Sequence, residues 1–249
     1  MTSPSKTRLL ITGAAGRIGT GFVAEYGDRY DLRLADRPGA AIATTAHETV
    51  TFDIADLAAF LTACAGIDVV LHLAADPSPE AEFYDSLLDS NIKGTFNAFR
   101  AARDAGCRRV IFASSIHAVG GYDADTPISD DRPVKPLNLY GASKTWGESL
   151  AHVFAHSEGL SSIAVRIGAY EAPWIKDHAT ALNLSAYISP RDLNQLFVRA
   201  IEIPDLPFAI VHGISNNRVK RMDLTGTIAA LGYDPVDDGF AIYGEPITS

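Results

Sequence analysis

The sequence predicts an α/β protein built on a doubly wound parallel sheet, with a small cap formed by its C-terminal part. Short apolar segments alternate with longer amphipathic ones, the order expected of strands connected by helices that cover both faces of a sheet. Segment 68–74 is largely apolar, as a strand buried on both faces should be. A glycine-rich turn at 13–19 joins the first apolar segment to the first amphipathic one.

Each predicted element is identified by its length, its apolar pattern and the residues at its ends. Strands are expected where short runs are rich in β-branched and aliphatic residues, at 8–12, 31–35, 49–52, 68–74, 109–114, 163–167 and 208–213. Helices are expected where longer segments carry apolar residues on one face, at 18–26, 57–64, 81–105, 140–158 and 192–201. Gly106 and Gly159 follow two of these helices, and Pro190 precedes the last, as is usual at helix ends.

The bulk composition indicates one globular domain over residues 1–249, with no clear linker and no internal repeat. A net charge of −9 gives no electrostatic reason to bind nucleic acid or an anionic membrane. We find no signal peptide and no apolar run approaching the roughly 18 residues of a membrane span, so a cytoplasmic protein is expected. Cys64 and Cys107 are too few for a disulfide framework or a metal cluster, and no metal site is expected.

Three glycines form a strand-to-helix turn that suits a dinucleotide. Gly13 allows a tight turn, Gly16 lets the backbone approach a pyrophosphate, and Gly19 lets helix and strand pack closely. Asp36 ends the next strand, 23 residues after Gly13, where an acidic residue binds the adenosine ribose hydroxyls. Its charge repels the 2′-phosphate of NADP, so NAD is expected as the cofactor. Arg37 slightly weakens this preference for NAD, because an arginine here can sometimes accept that phosphate.

Tyr140 and Lys144 lie four residues apart, on one face of a predicted helix. The ordinary pKa of a tyrosine phenol is about 10, so an isolated tyrosine is a poor base at neutral pH. A neighbouring cation favours the phenolate and lowers that pKa. The pair is therefore a candidate general base for a hydroxyl proton.

These motifs resemble the extended branch of the short-chain dehydrogenase/reductase superfamily, which includes the NAD-dependent epimerases and dehydratases. The chain also resembles the family at other landmarks, namely Asp53-Ile54, the segments at 72–75 and 91–95, and Ser115 at the end of the fifth strand. The resemblance covers nearly the whole chain. It implies a Rossmann-like fold with an NAD-binding core at 7–168, and a remainder at 169–249 that completes the sheet and forms a substrate cap.

The resemblance also implies a role for each candidate site residue. Tyr140 would take the substrate proton, Lys144 would stabilise the phenolate and hold the nicotinamide ribose, and Ser115 would donate a hydrogen bond to the reacting oxygen. The implied cofactor contacts are Gly13, Ala15, Gly16, Arg17, Ile18, Gly19, Asp36, Arg37, Asp53, Ile54, Leu73, Ala74, Ala75, Asn91, Tyr140, Lys144 and Ile167. The implied substrate contacts are Asp76, Ser78, Ser115, Ile116, His117, Tyr140, Gly168, His178 and Arg191.

Several segments are similar to uronate dehydrogenases and to haloarchaeal NAD-dependent glucose-6-phosphate dehydrogenases. They lie at 112–120, 165–168 and 212–217, and the second group is also similar at 75–81 and 231–235. This resemblance implies oxidation of C1 of a small cyclic aldose to a lactone. The length of the chain agrees, because about 80 residues follow Gly168, fewer than nucleotide-sugar enzymes of this branch usually carry.

The chain departs from these relatives where they bind the sugar. Ile116 stands in place of an asparagine, Leu182 in place of the arginine that binds a uronate carboxylate, and Ser78 in place of an arginine of the glucose-6-phosphate enzymes. A neutral aldose, a uronate, a sugar phosphate and a sulfonated sugar therefore all remain open. The basic residues that could bind an anionic group are Lys176, His178, Arg191, Arg218 and Lys220. We interpret the cluster Arg218, Lys220 and Arg221 as solvated.

Two other functions are compatible with the same motifs. A nucleotide-sugar epimerase or dehydratase would use the same triad and keep its NAD tightly bound. A non-catalytic NAD(H) sensor would bind without turnover, but such proteins commonly lack the Tyr or the Lys, and this chain has both Tyr140 and Lys144. Superfamily members often pair through the helix that carries these residues and the helix before it, so a homodimer or higher homo-oligomer is expected.

Overall fold

The computed structural model describes residues 6–43, 46–171 and 173–246, and within them a parallel sheet is covered by helices on both faces. The strands are β1 Arg8–Thr12, β2 Asp31–Asp36, β3 Glu48–Thr51, β4 Val69–His72, β5 Arg109–Ser115, β6 Ser161–Ile167, β7 Ala169–Tyr170, β8 Tyr187–Ile188 and β9 Phe208–Gly213. The α-helices are α1 Arg17–Tyr26, α2 Leu57–Cys64, α3 Gly94–Asp104, α4 Leu139–Ser157, α5 Pro173–Asp177, α6 Ala181–Ser185, α7 Pro190–Glu202, α8 Thr225–Leu231 and α9 Gly239–Tyr243. Short 3₁₀-helices span Gly27–Arg29 and Ile116–Val119, and a π-helix spans Phe83–Lys93.

The central sheet has the strand order β3-β2-β1-β4-β5-β6-β9, and every pairing in it is parallel. The chain first builds outward from β1 to β3 and then returns to build from β4 to β9. All carboxyl ends lie at one edge, and the reversal between β1 and β4 opens a crevice there. The predicted doubly wound α/β class is confirmed.

Two apolar layers hold the helices against the sheet. On one face, Phe22 of α1 and Phe197 of α7 pack edge to face, with ring centroids 6.2 Å apart. On the other face, Phe99 of α3 stacks on Phe154 of α4 at 5.5 Å. A Cβ atom at Gly147 would lie 2.2 Å from Cζ of Phe112, so α4 packs directly on β5. This contact fixes the helix that carries Tyr140 relative to the end of β5.

The predicted elements agree with the structure except at two places in the core. The strand predicted at 68–74 ends at His72, because the chain turns where the backbone of Ala74 meets Gly13. The helix predicted at 81–105 is a π-helix followed by α3. The π-helix carries Asn91, whose side chain binds the loop after β4. A π-helix often marks a functional site, and the apolar pattern of a segment does not distinguish it from an α-helix.

After Gly168 the sequence predicted α7 and β9 but not the shorter elements, which are β7, β8, α5, α6, α8 and α9. β9 and α7 extend the main sheet and its helical layer, while β7 and β8 form a small separate sheet. Around them, Ile175, Leu184, Tyr187 and Phe240 form a small apolar cluster. Elements of two to seven residues are too short to show a periodic apolar pattern.

Candidate active site

A cavity of about 1610 Å³ lies at the carboxyl edge of the sheet. Its lining comes from the residues that follow β1, β2, β4, β5 and β6, and from α5 and α6 above them. Open parallel sheets bind ligands at this edge. The strand ends therefore converge on one space, which is large enough for a ligand of several linked groups.

The glycine turn forms one wall of the cavity and fits a diphosphate. Gly13 has a φ of +73°, and a Cβ atom there would lie 2.8 Å from the backbone N of Ala74. At Gly19 a Cβ atom would lie 2.7 Å from the carbonyl oxygen of Gly13, so α1 packs directly on the turn. Gly16 caps α1 without a side-chain hydrogen bond. The first N–H groups of α1 are thus left for an anionic ligand, as the predicted pyrophosphate site requires.

Asp36 lines the cavity beside the glycine turn. Its Oδ2 accepts a hydrogen bond from the backbone N of Ala15 at 2.9 Å, and its Oδ1 accepts from the backbone N of Arg37 at 2.8 Å. These bonds hold the carboxylate at the end of β2. Asp53 and Ile54 line the same end of the cavity, where the sequence predicted the adenosine.

Ser115, Tyr140 and Lys144 meet in the cavity, although β5 and α4 supply them from different parts of the chain. All three are buried. The Nζ atom of Lys144 lies 5.4 Å from the ring centroid of Tyr140 and 5.1 Å from that of Phe112. Asn138 begins α4 by accepting a hydrogen bond from the backbone N of Gly141 at 2.7 Å, which secures the first turn of this helix.

Burial dominates the acid–base properties of the triad. It raises the pKa of Tyr140, the Asp76 carboxylate raises it further, and a hydrogen bond with Ser115 lowers it. Burial lowers the pKa of Lys144 to about 8. We expected Tyr140 to have a lowered pKa beside Lys144, but burial of the phenol dominates and the net shift is upward. Lys144 itself is buried, so its charged form costs free energy.

His117 and Asn138 form a polar pair next to Tyr140. The Oδ1 atom of Asn138 is used by Gly141, so its Nδ2 faces Nδ1 of His117, 3.1 Å away, and donates to it. The proton of the imidazole is therefore on Nε2. Burial lowers the pKa of His117, so the ring is neutral at pH 7. The ring packs edge to face on Tyr140 at 5.5 Å, which keeps it in the reacting part of the cavity.

Asn91 organises the site without lining the cavity. Its Oδ1 accepts from the backbone N of Asp76 at 2.8 Å, and its Nδ2 donates to the carbonyl of Asp76 at 3.1 Å. The same Nδ2 donates to Oγ of Ser143 at 3.0 Å. Asn91 therefore connects the loop after β4 to α4. All other predicted cofactor residues line the cavity.

Most of the predicted substrate residues also line the cavity, but three do not. Those that line it are Asp76, Ser115, Ile116, His117, Tyr140 and Gly168. Ser78 bonds within its own loop, to Asp76 and Glu80. His178 bonds to the carbonyl of Trp174.

Arg191 is the third predicted substrate residue outside the cavity lining. Its Nη2 donates to Oδ1 of Asp237 at 2.7 Å, and its side chain is 57% exposed. The carboxylate of Asp237 neutralises a charge that we expected to meet the substrate. Arg191 thus lies in a surface ion pair outside the cavity, a position that does not favour its predicted role in substrate binding.

One basic residue that we had interpreted as solvated, Arg221, lies in the cavity wall. Arg218 pairs with Glu245 at the surface, and Lys220 donates to the carbonyl of Asn217. Arg221 is instead buried and lines the cavity, so its interpretation as a solvated residue was wrong. Two basic residues in a row are a poor signal for burial, and nothing local in the sequence distinguished Arg221 from Lys220.

Other lining residues had no sequence signal, because they stand in loops or in helices and strands of only a few residues. They are polar or aromatic side chains of the loop at 120–138 and of the cap, among them Tyr122, Asn138, Tyr170, Trp174 and Asn183.

None of the described helices is long and apolar enough to cross a membrane. Over the same residues, no group of three or more His, Cys, Asp or Glu side chains is placed to hold a metal ion.

The fold and the convergent Ser, Tyr and Lys define a dinucleotide-dependent enzyme of the short-chain dehydrogenase type. The profile of the NAD dependent epimerase/dehydratase family matches residues 9–191. The chain belongs to this family, which confirms the resemblance found in the sequence. The family uses NAD, as the glycine turn and Asp36 predicted.

Relatives and a solved structure are similar over nearly the whole chain. The NAD-dependent glucose-6-phosphate dehydrogenase of Haloferax volcanii is 38% identical and covers 96% of this chain and 97% of its own. The L-arabinose 1-dehydrogenase (NAD(P)(+)) of the same organism is 33% identical, and the match covers 94% of this chain and 98% of that enzyme. A mutant uronate dehydrogenase from Agrobacterium tumefaciens complexed with NAD has a TM-score of 0.86 and 33% identity, over 95% of this chain and 87% of that one. These relatives are sugar dehydrogenases, that is, oxidoreductases acting on CH–OH.

Proposed function

We propose that this protein oxidises C1 of a small cyclic aldose to a lactone, with NAD as the acceptor. The observation that carries the proposal is the convergence of Ser115, Tyr140 and Lys144 in the cavity that contains the glycine turn. The sugars named for the relatives above are a hexose phosphate, a pentose and a uronate. All three sugars carry an anomeric hydroxyl on C1, and the pentose enzyme is named a 1-dehydrogenase, so C1 is the carbon that we assign to the reaction.

The residues of the chain divide the chemistry between them. NAD supplies the acceptor for the hydride that leaves C1. Tyr140 takes the proton of the C1 hydroxyl, and Ser115 donates a hydrogen bond to the same oxygen. Lys144 is mostly protonated below its pKa of about 8 and stabilises the phenolate. His117 offers its Nε2–H to another hydroxyl of the sugar.

The principal alternative is a nucleotide-sugar epimerase or dehydratase that keeps its NAD. Full-length similarity to dehydrogenases of small sugars favours oxidation with free exchange of NAD. The short helices of the cap agree with a small substrate. A non-catalytic NAD(H) sensor is disfavoured because all three triad residues are present and converge.

A screen for NADH formation tests the proposal. The purified protein is incubated with NAD and with free aldoses, uronates, sugar phosphates and sulfonated sugars at millimolar concentration, and lactone formation is followed by NMR. We expect NADH with at least one of these sugars. Tightly held NAD, no net NADH, and conversion of a nucleotide sugar would identify the epimerase instead.

NAD is expected to be preferred over NADP by at least roughly tenfold in kcat/KM, because Asp36 repels the 2′-phosphate. Asp36→Asn keeps the shape of the side chain and removes its charge, so we expect the preference to fall by about tenfold. Steady-state kinetics with both cofactors measures this. Asp89→Asn, another change of a carboxylate lining the cavity, is the matched control. Equal specificity of the unmodified protein for both cofactors would show that Arg37 governs the ribose pocket.

We also propose a homodimer that pairs α3 and α4 of each copy. These helices expose apolar side chains at Phe96, Trp146 and Val153, with exposed fractions of 38%, 39% and 48%. Light scattering should give about twice the mass of one 26.6 kDa chain. A monomer at micromolar concentration would contradict this pairing.

We further propose that the enzyme is cytoplasmic and consists of a single domain. Residues 7–168 form its NAD-binding core, and residues 169–249 complete the sheet and act as the substrate cap.

A further inference from the structure

Arg221 is a buried arginine in the wall of the cavity, on the segment that follows β9. Its backbone N donates to the carbonyl of Ser185 at 3.0 Å, at the end of α6. Its own carbonyl accepts from the backbone N of Ile128 at 3.1 Å. These bonds place Arg221 between the cap and the loop at 120–136, on a wall of the cavity that neither β5 nor α4 forms.

The guanidinium of Arg221 is held firmly and still has free donors. Nη1 donates to the carbonyls of Asp123 and Thr126, and Nη2 donates to that of Tyr122. A guanidinium has five N–H groups. Two of them, on Nε and Nη2, therefore have no acceptor among the residues that the structure describes. Two N–H groups of one guanidinium can bind both oxygens of a carboxylate, a phosphate or a sulfonate.

The charge of Arg221 is also left without a close counterion. No carboxylate in the described parts of the chain forms an ion pair with it. Burial lowers the pKa of Arg221, and Asp123 and Asp125 raise it through longer-range attraction. A buried cation that touches no anion is costly, so an anionic ligand would stabilise it.

The other buried arginines of the described chain have different surroundings. Arg166 forms an ion pair with Glu148 at 2.8 Å. Arg109, at the first position of β5, donates to four backbone carbonyls and to Ser161. Neither lines the cavity. Arg221 differs from both, because it combines burial, unused donors and access to the ligand space.

We infer that Arg221 binds an oxyanion carried by the sugar away from C1, and that the preferred substrate is an anionic sugar. The inference rests on the proposed function, since the same sugar must present C1 to Tyr140. The shared chemistry is a charged group with two or more oxygen atoms, as in a uronate, a sugar phosphate or a sulfonated sugar. This narrows the substrate classes that the sequence left open.

Kinetics of Arg221→Met with matched sugars tests the inference. The substrates are glucuronate, glucose 6-phosphate and 6-deoxy-6-sulfoglucose, each compared with neutral glucose. We expect the change to raise KM for the best anionic sugar by roughly 10- to 100-fold, the effect of losing hydrogen bonds to a charged group. KM for glucose should change by less than about threefold, and kcat should change little for either. The three anionic sugars distinguish carboxylate, phosphate and sulfonate.

Two further variants separate anion binding from support of the loop. Arg218→Met removes an exposed charge from the same segment and should alter neither KM. Arg221→Lys retains a cation, so its KM for the anionic sugar should rise less than that of Arg221→Met. Equal loss with charged and neutral sugars in both Arg221 variants would overturn the inference and leave Arg221 as a support of the loop at 122–126.

The substrate preference of the unmodified protein distinguishes failure of this inference from failure of the proposed function. If it oxidises glucose as efficiently as every anionic sugar, the inference fails while the proposed function stands. If it oxidises only other neutral aldoses of the wider screen, such as a pentose, the inference also fails while the proposed function stands. If no aldose, uronate, sugar phosphate or sulfonated sugar supports NADH formation, both fail. A preference for one anionic sugar that disappears in Arg221→Met supports both.

Discussion

Tyr140→Phe is expected to lower kcat for sugar oxidation by roughly 100- to 10,000-fold while NAD still binds. The change removes the phenol oxygen, which is the group that takes the proton. The ring itself remains, and with it the packing against His117. Initial rates of NADH formation measure the loss, and a binding titration with NAD checks that the cofactor site is intact.

Tyr122→Phe is the matched control for this experiment. Tyr122 also lines the cavity, but its hydroxyl donates to the carbonyl of Pro133 and has no role in the proposed proton transfer. We expect this variant to stay within about tenfold of the unmodified rate. If Tyr140→Phe retains more than half of that rate, Tyr140 is not the base.

Lys144→Met is expected to abolish activity and to stabilise the fold at neutral pH. The variant can neither stabilise the phenolate nor hold the nicotinamide ribose, so kcat should fall by at least about 100-fold. The pKa of Lys144 is lowered to about 8 from an ordinary value of 10.5. That shift corresponds to roughly 3 kcal/mol of cost for the protonated lysine at pH 7. Methionine fills a similar volume without a charge, so the free energy of unfolding should rise by up to that amount.

The gain in stability should depend on pH in a defined direction. Between about pH 8 and 10.5 the unfolded chain holds a proton on Lys144 that the folded chain has released. The free energy of unfolding of the unmodified protein therefore rises with pH in this window, relative to Lys144→Met. Urea unfolding of both proteins at pH 7 and at about pH 10 measures the difference. A variant that is less stable at pH 7, or a difference that does not shrink at high pH, would show that Lys144 is not a strained buried cation.

The sheet was predictable from sequence because its signals are local. A parallel strand buried on both faces is a short apolar run, and β1, α2 and β9 have the predicted bounds. The glycine turn was predictable for the same reason, since its backbone geometry depends on residues next to each other. The π-helix at Phe83–Lys93 was not predictable, because its sequence has the apolar pattern of an ordinary helix.

The substrate side of the site depends on contacts between distant parts of the chain. Arg191 was a candidate to bind the substrate, but it forms an ion pair with Asp237, 46 residues further along the chain. Arg221 stood in a polar cluster, but loop carbonyls 95 to 99 residues away hold it in the cavity. Neither pairing has a local signature. The residues predicted to bind the cofactor, apart from Asn91, thus line one cavity, whereas the surroundings of these two arginines required the fold.

The most direct test of C1 oxidation follows the hydrogen atom on C1. A sugar that supports NADH formation is prepared with deuterium at C1 and incubated with the protein and NAD. We expect the reduced cofactor to gain one deuterium per turnover, measured by mass spectrometry, and the sugar product to be the lactone. Reduced cofactor without deuterium, or a sugar that changes configuration with no reduced cofactor released, would contradict oxidation at C1.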